Sequence, residues 1–558
     1  VTPPRLRRRS RLTVAAAVLA FLVLWFGNLD ARRLIRPDEG RYAEIAREMA
    51  VSGDWITPRL NGLKYFEKPP LQYWATAWSF RAFGQDEWTA RLWPALMGAL
   101  AVLVVWRAGR RVFGAEAGDL SGALAAGMLW IAANGHLNTL DMGLTAWLTM
   151  ALAGFLWAQR DAALASERRA GMTVAWTGCA LAVLSKGLVG LVLPGGAVAL
   201  YLLASRQWAL LTRLRPLAGV LLVAALCAPW FVAVSRANPE FARFFFVHEH
   251  FERFLTPVHR REAPWWYFLP LLLAGALPWT RLAMRAAWDA WRPEDTNFRP
   301  RLFLLCWIAF PVLFFSASSS KLPSYILPVF PALAWLAGER LPRLPAASLR
   351  WDALLLAPLA AGALALGLRL EGYANARTTV EMYRQFEHWV VAAAIIALLA
   401  SAAAFVLARR ERRLAAATVL SLGSLAAWQC AFTGHDALSP SFSAAAIAAE
   451  VRPRLRPDCP FYSVRAYDQT LPFYLGRTVT LVEFEDEMAF GLRQEPALAI
   501  GSLGEWQARW TGASCAYGFA EPELFETLRD AGVPLRVLAR DTRRVIFAHP
   551  ALDGAPVP

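Results

Sequence analysis

The sequence predicts a mainly α, polytopic membrane protein with a small soluble α/β domain at its C-terminal end. Three observations predict it. The 558 residues are 57% hydrophobic and only 18% charged, a balance outside the usual soluble range. The apolar residues gather in runs as long as a helix needs to cross a hydrocarbon core. These runs stop after about residue 431, and short alternating strand-like and helix-like segments follow.

Taken in order, the runs predict about 13 transmembrane helices, at 12–28, 87–107, 117–134, 138–157, 171–185, 187–204, 215–234, 264–283, 301–317, 323–338, 351–369, 389–408 and 413–431. The first follows Arg5, Arg7, Arg8, Arg9 and Arg11 like a secretory signal, but no small-residue cleavage pattern comes after it, so a retained span is expected. Leu71–Phe83 is too short to span and too aromatic for a free loop, and reads as an interfacial or re-entrant helix.

Arginine placement orients the helices. With the N-terminus cytoplasmic, the cytoplasmic loops are the arginine-rich ones, such as Arg107/Arg110/Arg111, Arg206/Arg213/Arg215 and Arg409/Arg410/Arg412/Arg413. The short loops opposite, 135–137, 185–186 and 316–322, hold no arginine. The net charge of +15 is then mostly topological. Basic residues spread over separate loops do not make a nucleic-acid surface. Thirteen spans place residues 432–558 outside. Of the 58 Lys and Arg, the lysines are Lys64, Lys68, Lys186 and Lys321, and all fall on the predicted outer side.

Three outer segments are long: 30–70, 235–263 and 371–387. Within the first, Ala43–Met49 has the apolar spacing of an amphipathic helix. In residues 432–558, strands are expected at Phe461–Arg465, Thr478–Val482, Ala497–Ile500, Ala516–Gly518 and Arg544–His549. Helices are expected at Ala444–Val451, Gln469–Leu475 and Glu521–Ala531. Cys459 and Cys515 lie in this region, and an oxidising compartment permits them to pair.

Charged residues beside a membrane are costly enough to mark a functional site. Asp38 and Glu39 stand where the first span meets the first outer loop. They read either as a helix-capping pair or as a general base or electrostatic partner for transfer to an acceptor oxygen. Lys68, Lys186, Arg253 and Lys321 read as phosphate ligands or as lipid-headgroup snorkels, with Tyr42, Tyr65 and Tyr325 as neutral donors nearby. Asp141 reads as a helix cap or as a contact for a cationic group on a substrate. Glu67, His248 and His250 offer carboxylate and imidazole ligands for a divalent metal such as zinc, against a purely hydrogen-bonded role.

The segments Asp38–Met49, Ser52–Trp55, Tyr65–Pro69, Leu184–Gly187, Glu249–Phe254, Ala263–Tyr267 and Lys321–Leu327 run in order through the membrane half. Together they resemble the lipid A 4-amino-4-deoxy-L-arabinose transferases, within the type C class of membrane glycosyltransferases. The resemblance implies a catalytic acid in the first outer loop, at Asp38-Glu39. It also implies a donor sugar carried on undecaprenyl phosphate, lipid A as acceptor, and a site at the periplasmic face of the inner membrane. A related polyprenyl-phosphate mannosyl- or glucosyltransferase would share the fold and the acid. A transporter would place charges at mid-membrane, whereas here they gather at one face.

Lysine identity is expected to matter, because a compact ammonium and a planar guanidinium make different contacts with one phosphate oxygen. Lys68→Arg should reduce sugar transfer by about tenfold, the loss of one charge-assisted hydrogen bond. Wild-type rates from both Lys68→Arg and Lys321→Arg enzymes would leave the lysine positions without chemical meaning.

Overall fold

The computed structural model describes residues 4–252 and 263–554. All thirteen predicted spans fall on helix, but they do not all fall on single helices. Among the described residues, seven helices are long and apolar enough to cross a membrane, with Val14–Phe26 and Val189–Ser205 as shorter apolar ones. A count of thirteen crossings is therefore not established, although the chain is a multi-pass membrane protein.

Three of the predicted spans are broken, each for a local reason. The 117–134 run divides into Ala115–Gly127 and Leu129–Gly135 at Met128, whose backbone is extended and whose successor, Leu129, donates its N–H to Leu277 O at 3.0 Å. The 264–283 run divides into Phe268–Gly275 and Thr280–Asp289 around Pro278, which has no N–H to continue a helix. The 323–338 run begins as a 3₁₀ turn, Pro323–Val329, before the α-helix Phe330–Arg340. The third outer loop also differs, because helix Val380–Arg409 starts well before residue 389. Thr379 caps it, its hydroxyl accepting from Met382 N.

Inside the bundle, indoles tie helices together through backbone carbonyls. Trp25 Nε1 donates to Ala95 O at 2.9 Å and Trp335 Nε1 to Val105 O at 2.8 Å. Such bonds satisfy the one polar atom of a side chain that is otherwise all apolar surface.

The first outer loop is built from α2 (Asp38–Ser52), a two-stranded ribbon of β1 (Arg59–Leu60) and β2 (Leu63–Lys64), and α3 (Leu71–Phe83), which follow α1 (Pro4–Phe26). Helix α3 packs between α2 and α4 (Glu87–Val112), and its exposed Trp78 and Phe83 suit an interfacial position. Residues 39–49 of α2 are buried on every side, not on one face as the amphipathic pattern predicts. The C-terminal region supplies the cover.

That region carries β3 (Phe461–Val464), β4 (Thr480–Val482), β5 (Ala499–Ile500), β6 (Tyr517–Ala520), β7 (Arg536–Arg540) and β8 (Val545–Ala548) in one sheet of order β5-β4-β3-β6-β8-β7. Strands β3 to β6 run parallel, and β8 and β7 join antiparallel at one edge. The five expected strands are present. The sixth, β7, carries arginine at both ends, and helix Leu503–Thr511 mixes apolar with charged residues; neither stood out in the sequence. Cys459 and Cys515 form a disulfide with Cα atoms 5.6 Å apart.

One hydrophobic core joins the first outer loop to this sheet, with Ala43, Ile45, Ala46 and Met49 packed among Phe461, Leu471, Phe473 and Leu481. The fit is close at Gly40, where a β-carbon would lie 2.6 Å from Gln469 O. Arg47 spans the seam, its Nη1 donating to Gly476 O at 3.3 Å while Glu44 accepts from its Nε and Nη2 at 2.6 Å each.

One turn further along α2, Glu48 is buried beside Glu44, Arg47 and Tyr467, with one carboxylate oxygen accepting from Gly62 N at 2.8 Å. Burial, then the Glu44 charge, pushes the Glu48 carboxyl up to about 8. Between an unfolded value of about 4.3 and that raised one, the native chain keeps a proton that the unfolded chain has released. Stability contributed here therefore falls as pH rises through the window and is level above it. Glu48→Gln keeps an acceptor for Gly62 and removes the titration. It should raise the unfolding temperature at pH 8 and leave it nearly unchanged at pH 5; an equal shift at both would refute the assignment.

Candidate active site

The chemistry-bearing residues meet in a cavity of about 1260 Å³ between the first outer loop, the helical bundle and the C-terminal region. One part of the wall is apolar, with Trp130, Leu144, Val192 and Phe314. The rest carries Asp38, Tyr42, Glu67, Lys68, Asp141, Lys186, His248 and Tyr325, eight of the residues singled out in the sequence. A space lined by both apolar and charged side chains suits a lipid that ends in a polar headgroup.

Asp38 opens α2, where the helix dipole favours an anion. Its side chain is 45% exposed, and Arg41 Nη1 donates to it at 3.0 Å. Arg41 is itself gripped on the far side by Glu487 Oε2 at 2.5 Å, a residue of the C-terminal region. Glu487 also accepts from Gln469 Nε2 at 2.6 Å. A chain of polar contacts thus runs from the C-terminal region to Asp38.

Glu39 points the other way and does not reach the cavity. It is 1% exposed, and accepts from Arg32 Nη1 at 2.9 Å, Arg91 Nε at 2.8 Å and Asn138 N at 3.0 Å. Burial alone would raise its carboxyl, yet the two guanidinium groups hold it well below the usual carboxylate range. The adjacent acids have separate environments: Asp38 faces the cavity, and Glu39 anchors the loop.

The cations differ in the same way. Lys68 Nζ donates to Glu249 Oε2 at 2.9 Å and to the Glu67 carbonyl at 2.7 Å. Lys186 pairs with Asp141 and lies 5.0 Å from the centre of the Tyr325 ring, so these three residues form one cluster. Lys321 is buried, its Nζ donating to Ser318 O at 2.6 Å behind the cavity wall to which Ser318 and Ser320 belong. Tyr65 is buried outside the lining, and burial pushes its phenol up. Arg253 and the His250 side chain lie outside the described residues.

Glu67 and His248 share the cavity, which leaves a carboxylate and an imidazole as possible metal ligands there. Among the described residues, three ligand-type groups converge at Asp458/Cys459/Cys515 and at Asp30/Asp86/Glu87, and neither set includes them. The Lys68 ammonium already stands beside Glu249 and 4.0 Å from Glu67 Oε2, so positive charge is supplied there by the chain itself.

Sequence reasoning passed over several cavity residues. Arg41 and Glu249 were within recognised segments, and their acid–base partners were the available clue. Gln469, Asp486, Glu487, Phe490 and Arg493 gave no signal, since only folding brings them back to the first loop. Phe490 stacks near Phe244 of the π-helical segment Arg243–Glu252, with ring centres 4.0 Å apart.

Known proteins match this arrangement. Residues 10–245 fit the model of the dolichyl-phosphate-mannose-protein mannosyltransferases, and residues 447–549 that of the aminoarabinose transferase C-terminal domain. An archaeal oligosaccharyltransferase from Archaeoglobus fulgidus, 14% identical, covers 92% of this chain and 70% of its own at a TM-score of 0.51, a likeness of fold alone. The fold is that of a type C membrane glycosyltransferase. The crystal structure of ArnT from Cupriavidus metallidurans bound to undecaprenyl phosphate superposes at a TM-score of 0.92, with 39% identity over 98% of this chain and 99% of that one. The undecaprenyl phosphate-α-4-amino-4-deoxy-L-arabinose arabinosyl transferase of Pseudomonas aeruginosa is 35% identical over 69% of this chain and 70% of its own. That of Aeromonas salmonicida is 37% identical over 58% of this chain, a match spanning 59% of its own length. The chain belongs to the aminoarabinose transferase family.

The separate roles of the two acids can be tested. Glu39→Gln leaves Arg32 and Arg91 buried beside a neutral amide and should cost roughly 3–5 kcal/mol of stability. The Glu39 contribution is complete above an unfolded carboxyl pKa of about 4.3 and is lost only as pH falls through the depressed native value. Thermal unfolding of Glu39→Gln in detergent at neutral pH should therefore show a large loss, and a wild-type profile would deny the anchoring role.

Proposed function

We propose that this protein transfers 4-amino-4-deoxy-L-arabinose from undecaprenyl phosphate to a phosphate of lipid A at the periplasmic face of the inner membrane. The change lowers the negative charge of the lipid and so its attraction for cationic peptides such as polymyxin. The observation that carries the reading is the half-exposed Asp38 carboxylate in a cavity that also holds Lys68 and the Lys186–Asp141–Tyr325 cluster. The names of the Pseudomonas and Aeromonas relatives and the lipid bound by the Cupriavidus structure supply the substrate class.

The acceptor is a phosphate oxygen, already anionic at neutral pH, and needs no proton removed. It attacks the anomeric carbon as the bond from that carbon to the donor phosphate breaks, and undecaprenyl phosphate departs with the bonding electrons. Asp38 stabilises the positive charge that grows on the sugar ring and orients the acceptor, with Arg41 fixing its carboxylate. Lys68 and Lys186 stabilise the departing phosphate, exchanging part of their contact with Glu249 and Asp141 for it. Glu39 is buried away from the cavity, so a second carboxylate for a covalent intermediate does not come from the neighbouring residue, and inversion is expected. A divalent ion at Glu67 and His248, if held there, would add charge beside the same phosphate. The Cys459–Cys515 bridge supports an oxidising compartment for the C-terminal region.

Asp38→Asn should fold and bind undecaprenyl phosphate as wild type, because the side chain is half-exposed and its amide still accepts from Arg41, while transfer drops by at least about a hundredfold. Mass spectrometry of lipid A after incubation with the purified variant measures it. Near-normal modification would remove Asp38 from catalysis, and wild-type enzyme that used a mannosyl or glucosyl donor instead would overturn the donor assignment.

A further inference from the structure

Five cationic side chains line the cavity: Arg36, Arg41, Lys68, Lys186 and Arg493. Three are engaged by carboxylates, Arg41 by Asp38 and Glu487, Lys68 by Glu249, and Lys186 by Asp141. The other two are not. Among the described residues, neither the Arg36 nor the Arg493 guanidinium makes a side-chain hydrogen bond or an ion pair. The carboxylate that feels the Arg36 charge, Asp468, is already bound by Arg544 at 2.7 Å and by the Thr470 hydroxyl at 2.6 Å. A guanidinium left without a counter-ion in a cavity wall is a phosphate ligand in waiting, because its fork of donors fits phosphate oxygens.

We propose that Arg36 and Arg493 form the subsite for the acceptor's phosphate monoester, apart from the cations that hold the donor. The proposal rests on the transfer reading above. Arg36 stands two residues before Asp38, and both side chains line the same cavity. Its backbone N–H is fixed by Phe442 O at 2.9 Å, which keeps the main chain in place when the side chain is changed. Arg493 lies in the last turn of the helix Ala489–Gln494 of the C-terminal region and is exposed, as a group that meets an incoming lipid headgroup must be. Asp486 lines the same cavity and makes no ion pair with a described cation. On this view Arg493 of the C-terminal region and Arg36 of the first loop read the acceptor, while Lys68 and Lys186 hold the donor.

The test is equilibrium binding of lipid A to wild-type, Arg36→Gln and Arg493→Gln protein in nanodiscs, with lipid A stripped of its phosphates as the second ligand and undecaprenyl phosphate as the third. Each variant should bind phosphorylated lipid A about tenfold more weakly, bind the stripped lipid as wild type does, and keep its affinity for undecaprenyl phosphate. In turnover, the acceptor KM should rise with the donor KM unchanged, and Arg36→Lys and Arg493→Lys should recover part of the loss. Unchanged binding of phosphorylated lipid A by both variants overturns the subsite, and so does a loss confined to undecaprenyl phosphate, which would place these arginines on the donor. A wild-type enzyme that binds phosphorylated lipid A through these arginines yet transfers no aminoarabinose would instead overturn the transfer reading and leave the subsite standing.

Discussion

The buried carboxylate of Glu39, held between Arg32 and Arg91, is the constraint on which the rest of the site depends. It joins three pieces of chain: the end of the first span, the start of α2, and α4 of the bundle. Arg91 adds bonds to the carbonyls of Leu29 and Arg33, and Asn138 N reaches the same carboxylate from the fourth predicted span. Removing three charges from water is expensive, and they are tolerated because each finds several partners. The consequence is positional. With Glu39 pinned inward, its neighbour at the first turn of the helix is left to face the cavity, and Asp38 has little freedom to do otherwise.

The opposite wall is set by packing. The outer loop and the C-terminal sheet share one core, so the sheet region is not an appendage beside the site but part of its lining. Through Glu487 and Arg41 it reaches the half-exposed acid in two polar contacts. Helix α2 shows what that packing costs: its charged residues Glu44, Arg47 and Glu48 are all buried at the seam, and only Arg47 and Glu44 fully satisfy one another.

The sequence carried the helical half and much of the site, for identifiable reasons. Apolar runs report helix location well, since membrane insertion demands them, but they do not report breaks: Met128 and Pro278 interrupt runs whose hydropathy is continuous. The acid pair at 38–39 was visible, but the division of labour within it was not, because Arg91 and Asn138 come from distant helices. Of the four lysines, Lys68, Lys186 and Lys321 were expected at substrate. Lys68 and Lys186 line the cavity, while Lys321 serves the backbone of its own turn. The amphipathic pattern of α2 was real in sequence and hidden in structure, since the polar face was covered by a domain more than four hundred residues away. Strand positions in that domain were readable, yet nothing local told that Asp486, Glu487 and Arg493 face a membrane enzyme's cavity.

The seam between α2 and the sheet sets an order of events during synthesis. Arg47 and its acceptor carbonyl at Gly476 are 429 residues apart. At a translation rate of about 5–20 residues per second, roughly 20–85 s separate their appearance. Throughout that interval the buried charges of the first loop have no cover, so it waits as an unfinished half-site. Segments made far apart in time complete the site together, and a ribosome that stops before Gly476 leaves a membrane-inserted protein with an open, unassembled centre.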